Sequence, residues 1–125
     1  MNQKRPVNLD LGTFKYPITA ITSILHRISG LILFPCVFLL LYALGKSLSS
    51  EEGFNEMKAM LSTPFAKIVV WVVVSALAYH LVAGVRHLIM DMGVGETLEG
   101  GKRGSMIVLV ISIVLIAVAG VWLWT

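Results

Sequence analysis

The chain has 125 residues, of which 57% are hydrophobic and 14% are charged, against roughly 25% charged residues in soluble domains. This composition excludes an ordinary soluble domain and predicts one small domain embedded in membrane lipid. The net charge of +3 does not indicate nucleic-acid binding, because the basic residues flank apolar runs and form no stripe interleaved with aromatic residues.

The first membrane span is predicted over about 18–46, around an apolar run at 28–44. The run is too long, and the polar segment before it too extended, for a cleavable signal peptide. Nor is the segment an Arg-rich, acid-poor transit peptide, which favours a bacterial or already mature chain. Pro17 suits the start of a helix, because the N–H that proline lacks would be unpaired there anyway. Pro35 lies inside the span and is expected to kink it.

Two further spans are predicted, over about 65–90 and 106–124. Each is long enough to cross a hydrocarbon core of roughly 30 Å at about 1.5 Å per residue. The polar link between the first two spans is expected to hold a short surface helix around 51–61. The link at 91–105 contains five glycines and is predicted to be a flexible loop. The fold class is therefore all-α, an integral membrane protein with three transmembrane helices.

The lysine and arginine residues predict how the spans are oriented, because these residues accumulate in cytoplasmic segments. Seven of them lie in the N-terminal segment or around the second link: Lys4, Arg5, Lys15, Arg27, Arg86, Lys102 and Arg103. Three lie around the first link, where glutamates dilute them: Lys46, Lys58 and Lys67. The N-terminus and the second link are therefore expected to be cytoplasmic, and the C-terminus periplasmic.

The end of the second span, AYHLVAGVRHLIMD, carries a polar face. His80, Gly84, His87 and Asp91 follow one another at i, i+4, i+7 and i+11, which places them on one side of a helix. Ionisable groups inside a membrane are costly, so they face protein, cofactor or water. His87 and Asp91 are expected at the cytoplasmic edge, where Arg86 and His87 can also be read as side chains that reach the interface.

His80 lies near the middle of the span and needs an explanation. It is either an interhelical hydrogen-bonding residue or a ligand of a metal or haem. Gly84, together with Ala76 and Ala83, is expected to leave room for a flat macrocycle. Two axial nitrogens on one iron lie about 4 Å apart, given metal–nitrogen bonds near 2 Å.

No pair of histidines in the chain is expected to satisfy that distance. His80 and His87 are about 10 Å apart along one helix, and His26 is expected near the cytoplasmic mouth, at a different depth from His80. If His80 binds haem, the opposite ligand must come from another chain.

A second polar cluster precedes the first apolar run, in SILHRISG. Ser23, His26, Arg27 and Gly30 share one helix face at i, i+3, i+4 and i+7. A neutral hydroxyl beside a fixed cation suits a ligand whose carbonyl oxygen becomes negative on reduction, or a haem propionate. Alternatively, Arg27 is a positive-inside residue near lipid phosphates and Ser23 an incidental helix residue.

Three stretches, RPVNLDL (5–11), PITAITSILHRISG (17–30) and AYHLVAGVRHLIMD (78–91), resemble the cytochrome b556 subunits of succinate dehydrogenase, respiratory complex II. The resemblance implies a haem b-carrying anchor in the bacterial inner membrane. It also implies three partners: a second three-span anchor subunit, an iron–sulfur subunit and a flavoprotein subunit. Electrons from succinate would pass through the latter two to ubiquinone.

Carried over residue by residue, the resemblance implies that His80 is an axial haem ligand and that the partner anchor supplies the other. Ser23 and Arg27 match quinone-site positions, and His26 and Arg27 match positions near the haem propionates. His87 and Asp91 match positions in a polar network near the same site. No succinate chemistry is expected in this chain, which has neither a dinucleotide fingerprint nor cluster-binding cysteines.

Two alternatives stay open on the sequence. The first is the anchor of a fumarate reductase, in which electrons flow in the opposite direction. The second is a structural membrane anchor without redox function, which would tolerate replacement of His80 and Arg27.

Overall fold

The computed structural model describes Gly12 and residues 16–125, so the RPVNLDL motif lies outside the described residues. Within them the chain forms four α-helices and no strands: α1 (Ile18–Ser49), α2 (Glu51–Leu61), α3 (Pro64–Asp91) and α4 (Leu98–Trp124). Helices α1, α3 and α4 are each long and apolar enough to cross a bilayer. The all-α class and the three predicted spans are confirmed.

Helix α1 begins where the sequence predicts. Pro17 is extended and ends the preceding segment, and the helix then continues for 32 residues without interruption at Pro35. The kink expected at Pro35 stays a prediction. Ten residues of α1 precede its apolar run, which gives this helix a polar first third that packs within the bundle.

The predicted surface helix is also present. The hydroxyl of Ser50 accepts a hydrogen bond from the Gly53 N–H at 2.9 Å and caps α2. Glu51 and Glu52 lie in its first turn, where they complement the helix dipole. Lys46 of α1 pairs with Glu56 of α2 at 2.9 Å. These contacts fold α2 back against the end of α1.

The prediction of a flexible loop over 91–105 is wrong for its second half, because α4 starts at Leu98. The Thr97 hydroxyl accepts a hydrogen bond from the Gly100 N–H at 3.0 Å and caps the helix. Small residues on α4 allow close packing: Gly101 lies against Thr19, and Gly104 against the Arg86 side chain. The connection is left with six residues, 92–97.

Polar contacts between small residues hold the three spans together. Thr22 is the junction: its carbonyl accepts a hydrogen bond from the Tyr79 hydroxyl of α3 at 2.6 Å, and its own hydroxyl bonds Ser105 of α4 at 3.1 Å. At the other end, the Trp71 indole N–H donates to the Ile116 carbonyl at 2.9 Å. Most large apolar side chains are exposed on the outside of the bundle, as expected where lipid or a partner covers them.

Candidate functional site

All three histidines of the chain converge where the first third of α1 packs along the second half of α3. The His26 ring is stacked on the His80 ring, with centroids 4.2 Å apart and planes 8° from parallel. The His26 ring also stacks on the His87 ring, with centroids 5.2 Å apart and planes 18° from parallel. Two polar clusters far apart in the sequence therefore form one site.

The expectation that His26 and His80 lie at different depths is wrong. His26 is eight residues, about 12 Å, from the start of α1, and His80 is eleven residues, about 16 Å, from the end of α3. Helix α1 begins ten residues before the apolar run that fixes its depth from sequence, so His26 lies inside the bundle and its ring meets that of His80.

The stacked arrangement does not make His26 and His80 opposite ligands of one iron. The lone pair of an imidazole nitrogen lies in the plane of its ring, so two rings stacked face to face direct their lone pairs alongside each other. Axial ligands must direct them at one another across the metal. The expectation that a second chain supplies the opposite ligand stays a prediction.

The His80 ring is held at one of its nitrogens. Its Nδ1 lies 3.0 Å from the Ser29 hydroxyl and 3.1 Å from the His26 carbonyl oxygen. No described residue hydrogen-bonds Nε2. This nitrogen is also not fully buried, because the only fully buried side-chain nitrogen or oxygen without a partner among the described residues is Ser112 Oγ. The imidazole thus has one anchored edge and one open edge.

Gly30 permits this packing, because a methyl group there would lie 2.9 Å from His80 Cε1, which is closer than real contacts allow. A methyl group at Gly84 would lie 3.6 Å from His26 Nε2, an ordinary contact. Gly84 therefore faces the His26 ring, and Ala83 is buried in the core between α3 and α4. Neither residue leaves the open space beside His80 that the sequence suggested for a macrocycle.

A polar cavity of about 300 Å³ adjoins the histidines at the same end of the bundle. Ser23 and His87 line it, as does Arg86, whose guanidinium donates to the Gly101 carbonyl at 3.0 Å. The remaining lining residues come from α1, α3, the α3–α4 connection and the first turn of α4: Thr19, Met90, Glu96, Thr97, Leu98 and Gly101.

The cavity differs from the predicted site in its cation. Arg27 is exposed and lies outside the lining, and so does Asp91. Arg86, which sequence reasoning left as an interface residue, provides the charge instead. Arg86 fits there because Gly104 leaves room for its side chain and the Gly101 carbonyl accepts its hydrogen bond.

A family model described as succinate dehydrogenase/fumarate reductase transmembrane subunit matches residues 1–119. The chain belongs to this family. A relative in Coxiella burnetii named succinate dehydrogenase cytochrome b556 subunit is 46% identical over 99% of this chain and 100% of its own length. A relative of the same name in Paracoccus denitrificans is 32% identical over 89% of this chain and 85% of its own length. A Reclinomonas americana relative named succinate dehydrogenase cytochrome b560 subunit is 34% identical over 79% and 72%.

Family membership confirms the resemblance read from the SILHRISG and AYHLVAGVRHLIMD stretches. With the three apolar helices, it identifies the chain as a multi-pass protein of the bacterial inner membrane. It also identifies the chain as a subunit of an oxidoreductase complex. Both polar stretches that carry the resemblance contribute to the histidine cluster and the adjoining cavity.

Proposed function

We propose that this chain is the haem b-binding membrane anchor of a succinate dehydrogenase, that it forms part of the ubiquinone-reduction site, and that it carries electrons from the iron–sulfur subunit to quinone. One observation carries the proposal: an imidazole inside an apolar span, anchored at Nδ1 and open at Nε2. The names of the relatives, which are cytochromes of succinate dehydrogenase, favour this direction of electron flow over that of a fumarate reductase.

The donor set fits a haem b shared between two chains. His80 would hold the iron through Nε2, with the opposite ligand from a second three-span anchor subunit. His26, stacked on His80, and the exposed Arg27 would lie toward the propionates. A bound haem supplies a one-electron redox centre whose potential its ligands and surroundings set.

The cavity beside the histidines fits a quinone head group. The Ser23 hydroxyl can donate to a carbonyl oxygen, and the Arg86 guanidinium, already oriented by Gly101, stabilises negative charge that develops there. Arg27 lies one turn beyond Ser23 on α1, outside the lining, and would add positive charge from the surface of the bundle. His87 and Asp91, near the end of α3, are the groups through which protons from the aqueous side would arrive.

In this assignment the histidine end of the bundle faces the cytoplasm, where the flavoprotein and iron–sulfur subunits would dock. We expect a cysteine introduced at Thr125, in a Cys36→Ser background, to react with a membrane-impermeant maleimide in intact spheroplasts. Labelling that occurs only after the membranes are opened would show that the C-terminus is cytoplasmic, the opposite of the proposed orientation.

The test of the function is a reduced-minus-oxidised visible spectrum of the complex purified in detergent through a tag on this chain. A low-spin b-type band, together with flavin in the same fraction, is expected. A complex that contains flavin but no haem would refute the cofactor assignment. Rates of succinate-driven quinone reduction and quinol-driven fumarate reduction, measured on the same sample, decide the direction.

The quinone assignment predicts that Ser23→Ala raises the KM for ubiquinone about fivefold with little change in haem content. The reason is the loss of one hydrogen bond worth about 1 kcal/mol. Ser47→Ala is the matched control, because Ser47 lies on the same helix at the opposite end and bonds only its own helix, at the Ala43 carbonyl. Equal KM values for the two variants would remove Ser23 from the site.

A further inference from the structure

We propose that Ser29 is a positioning residue for His80: it fixes the proton of the imidazole on Nδ1 and presents the Nε2 lone pair to the iron. This inference rests on the proposed function, because it concerns the residue assigned there as the haem ligand. Ser29 lies outside the polar faces that the sequence singled out.

The hydrogen-bond directions at His80 follow from counting protons. The Ser29 hydroxyl lies 2.7 Å from the His26 carbonyl oxygen and donates its single proton to it. Toward His80 Nδ1, at 3.0 Å, the same oxygen can therefore only accept. The His26 carbonyl, 3.1 Å from Nδ1, is also an acceptor. Two acceptors facing one ring nitrogen require that nitrogen to carry the proton.

The neutral imidazole then has its lone pair on Nε2 alone. That nitrogen is the open edge of the ring, with no hydrogen-bond partner among the residues the structure describes. Ligand histidines in metal sites commonly donate the other N–H to a carbonyl or another acceptor, which fixes the tautomer and increases the basicity of the ligating nitrogen. The bundle contains this arrangement before any metal is considered.

The arrangement is also rigid. Ser29 is only 6% exposed, so its hydroxyl has no water to exchange with and keeps the partners it has. The ring has little room on its α1 side, because a methyl group at Gly30 would lie 2.9 Å from Cε1. The His26 ring covers one face of His80. Three neighbours on α1 therefore set the direction of Nε2.

The test compares Ser29→Ala with Ser112→Ala in the intact complex. Ser112 is a second buried serine, 2% exposed, whose hydroxyl has no hydrogen-bond partner. The readouts are the haem-to-flavin ratio of complexes made under limiting haem, the haem midpoint potential, and the low-spin ferric EPR spectrum. Ser29→Thr, which keeps the hydroxyl, is the conservative variant.

For Ser29→Ala we expect apparent haem affinity to fall about tenfold. We also expect a more positive midpoint potential, because a less basic imidazole stabilises the ferric state less, and an altered EPR spectrum. Ser112→Ala and Ser29→Thr should match the unmodified complex. If Ser29→Ala also matches it in all three readouts while His80→Leu removes the haem, the Ser29 inference alone is overturned. If His80→Leu retains the haem, the proposed function fails as well.

Discussion

Substitution of His80 by leucine is expected to abolish the b-type absorbance of the purified complex. Leucine fills a similar volume but offers no lone pair. His26 cannot replace the lost ligand, because its ring is stacked on that of His80 and does not direct a lone pair toward the same metal. If the proposed partner ligand alone retained some haem, that haem would be high-spin or weakly bound. The measurement is the reduced-minus-oxidised spectrum, normalised to flavin so that poor assembly is not mistaken for haem loss.

His87→Leu is the matched control for this experiment, because it removes the other α3 histidine of the cluster. Its Nδ1 faces the Ala83 carbonyl of its own helix at 3.3 Å, and its side chain is exposed. This variant is expected to keep the low-spin band. Loss of the band in His87→Leu and its survival in His80→Leu would exchange the roles of the two residues.

Gly30→Ala is expected to have the second largest effect, although Gly30 has no side chain that could bind a ligand. The added methyl group would lie 2.9 Å from His80 Cε1, so the ring must shift away from α1 and from its acceptors there. Overpacking of this kind costs about 1–3 kcal/mol. We expect a lower thermal midpoint for haem release and a lower haem-to-flavin ratio.

The control is Gly45→Ala, on the same helix, where a methyl group would meet no atom within 4 Å. Alanine is favoured over glycine inside a helix by about 1 kcal/mol, so this variant should be neutral or slightly stabilising. Haem release at the same temperature in both variants would show that the His80 ring does not depend on its contact with Gly30.

Local rules account for most of the fold. Proline at the start of α1 and α3, and long apolar runs, were enough to place the three spans. The short helix at 51–61 follows from a serine cap and two glutamates in the first turn. These features act between residues close in sequence, so the sequence alone contains them.

What sequence reasoning missed depends on contacts between distant segments. The glycine-rich stretch at 98–105 is helical because Thr97 caps it and because its small residues pack on α1 and α3. Glycine content alone predicted the opposite. Arg86 faces the cavity because Gly101 and Gly104 receive it, a relation between two helices that no local pattern encodes.

The apolar pattern of the sequence predicts the wrong depth for His26 for a related reason. The apolar run marks where α1 meets the hydrocarbon core, whereas the packing of α1 begins ten residues earlier, at Ile18. The roles of the site residues remain predictions, since proximity of side chains does not by itself establish a ligand.

The junction at Thr22 has a mechanical consequence for α1. Every described hydrogen bond from α1 to α3 or α4 is made by residues up to Ser29, and beyond that point α1 is tied by polar contacts only to α2, through the Lys46–Glu56 pair. The half of α1 that follows, which contains Pro35, faces α3 with apolar side chains such as Leu39 and Leu40. Directional hydrogen bonds therefore fix α1 at the end that carries His26, whereas apolar contacts, which set no register, position its other end.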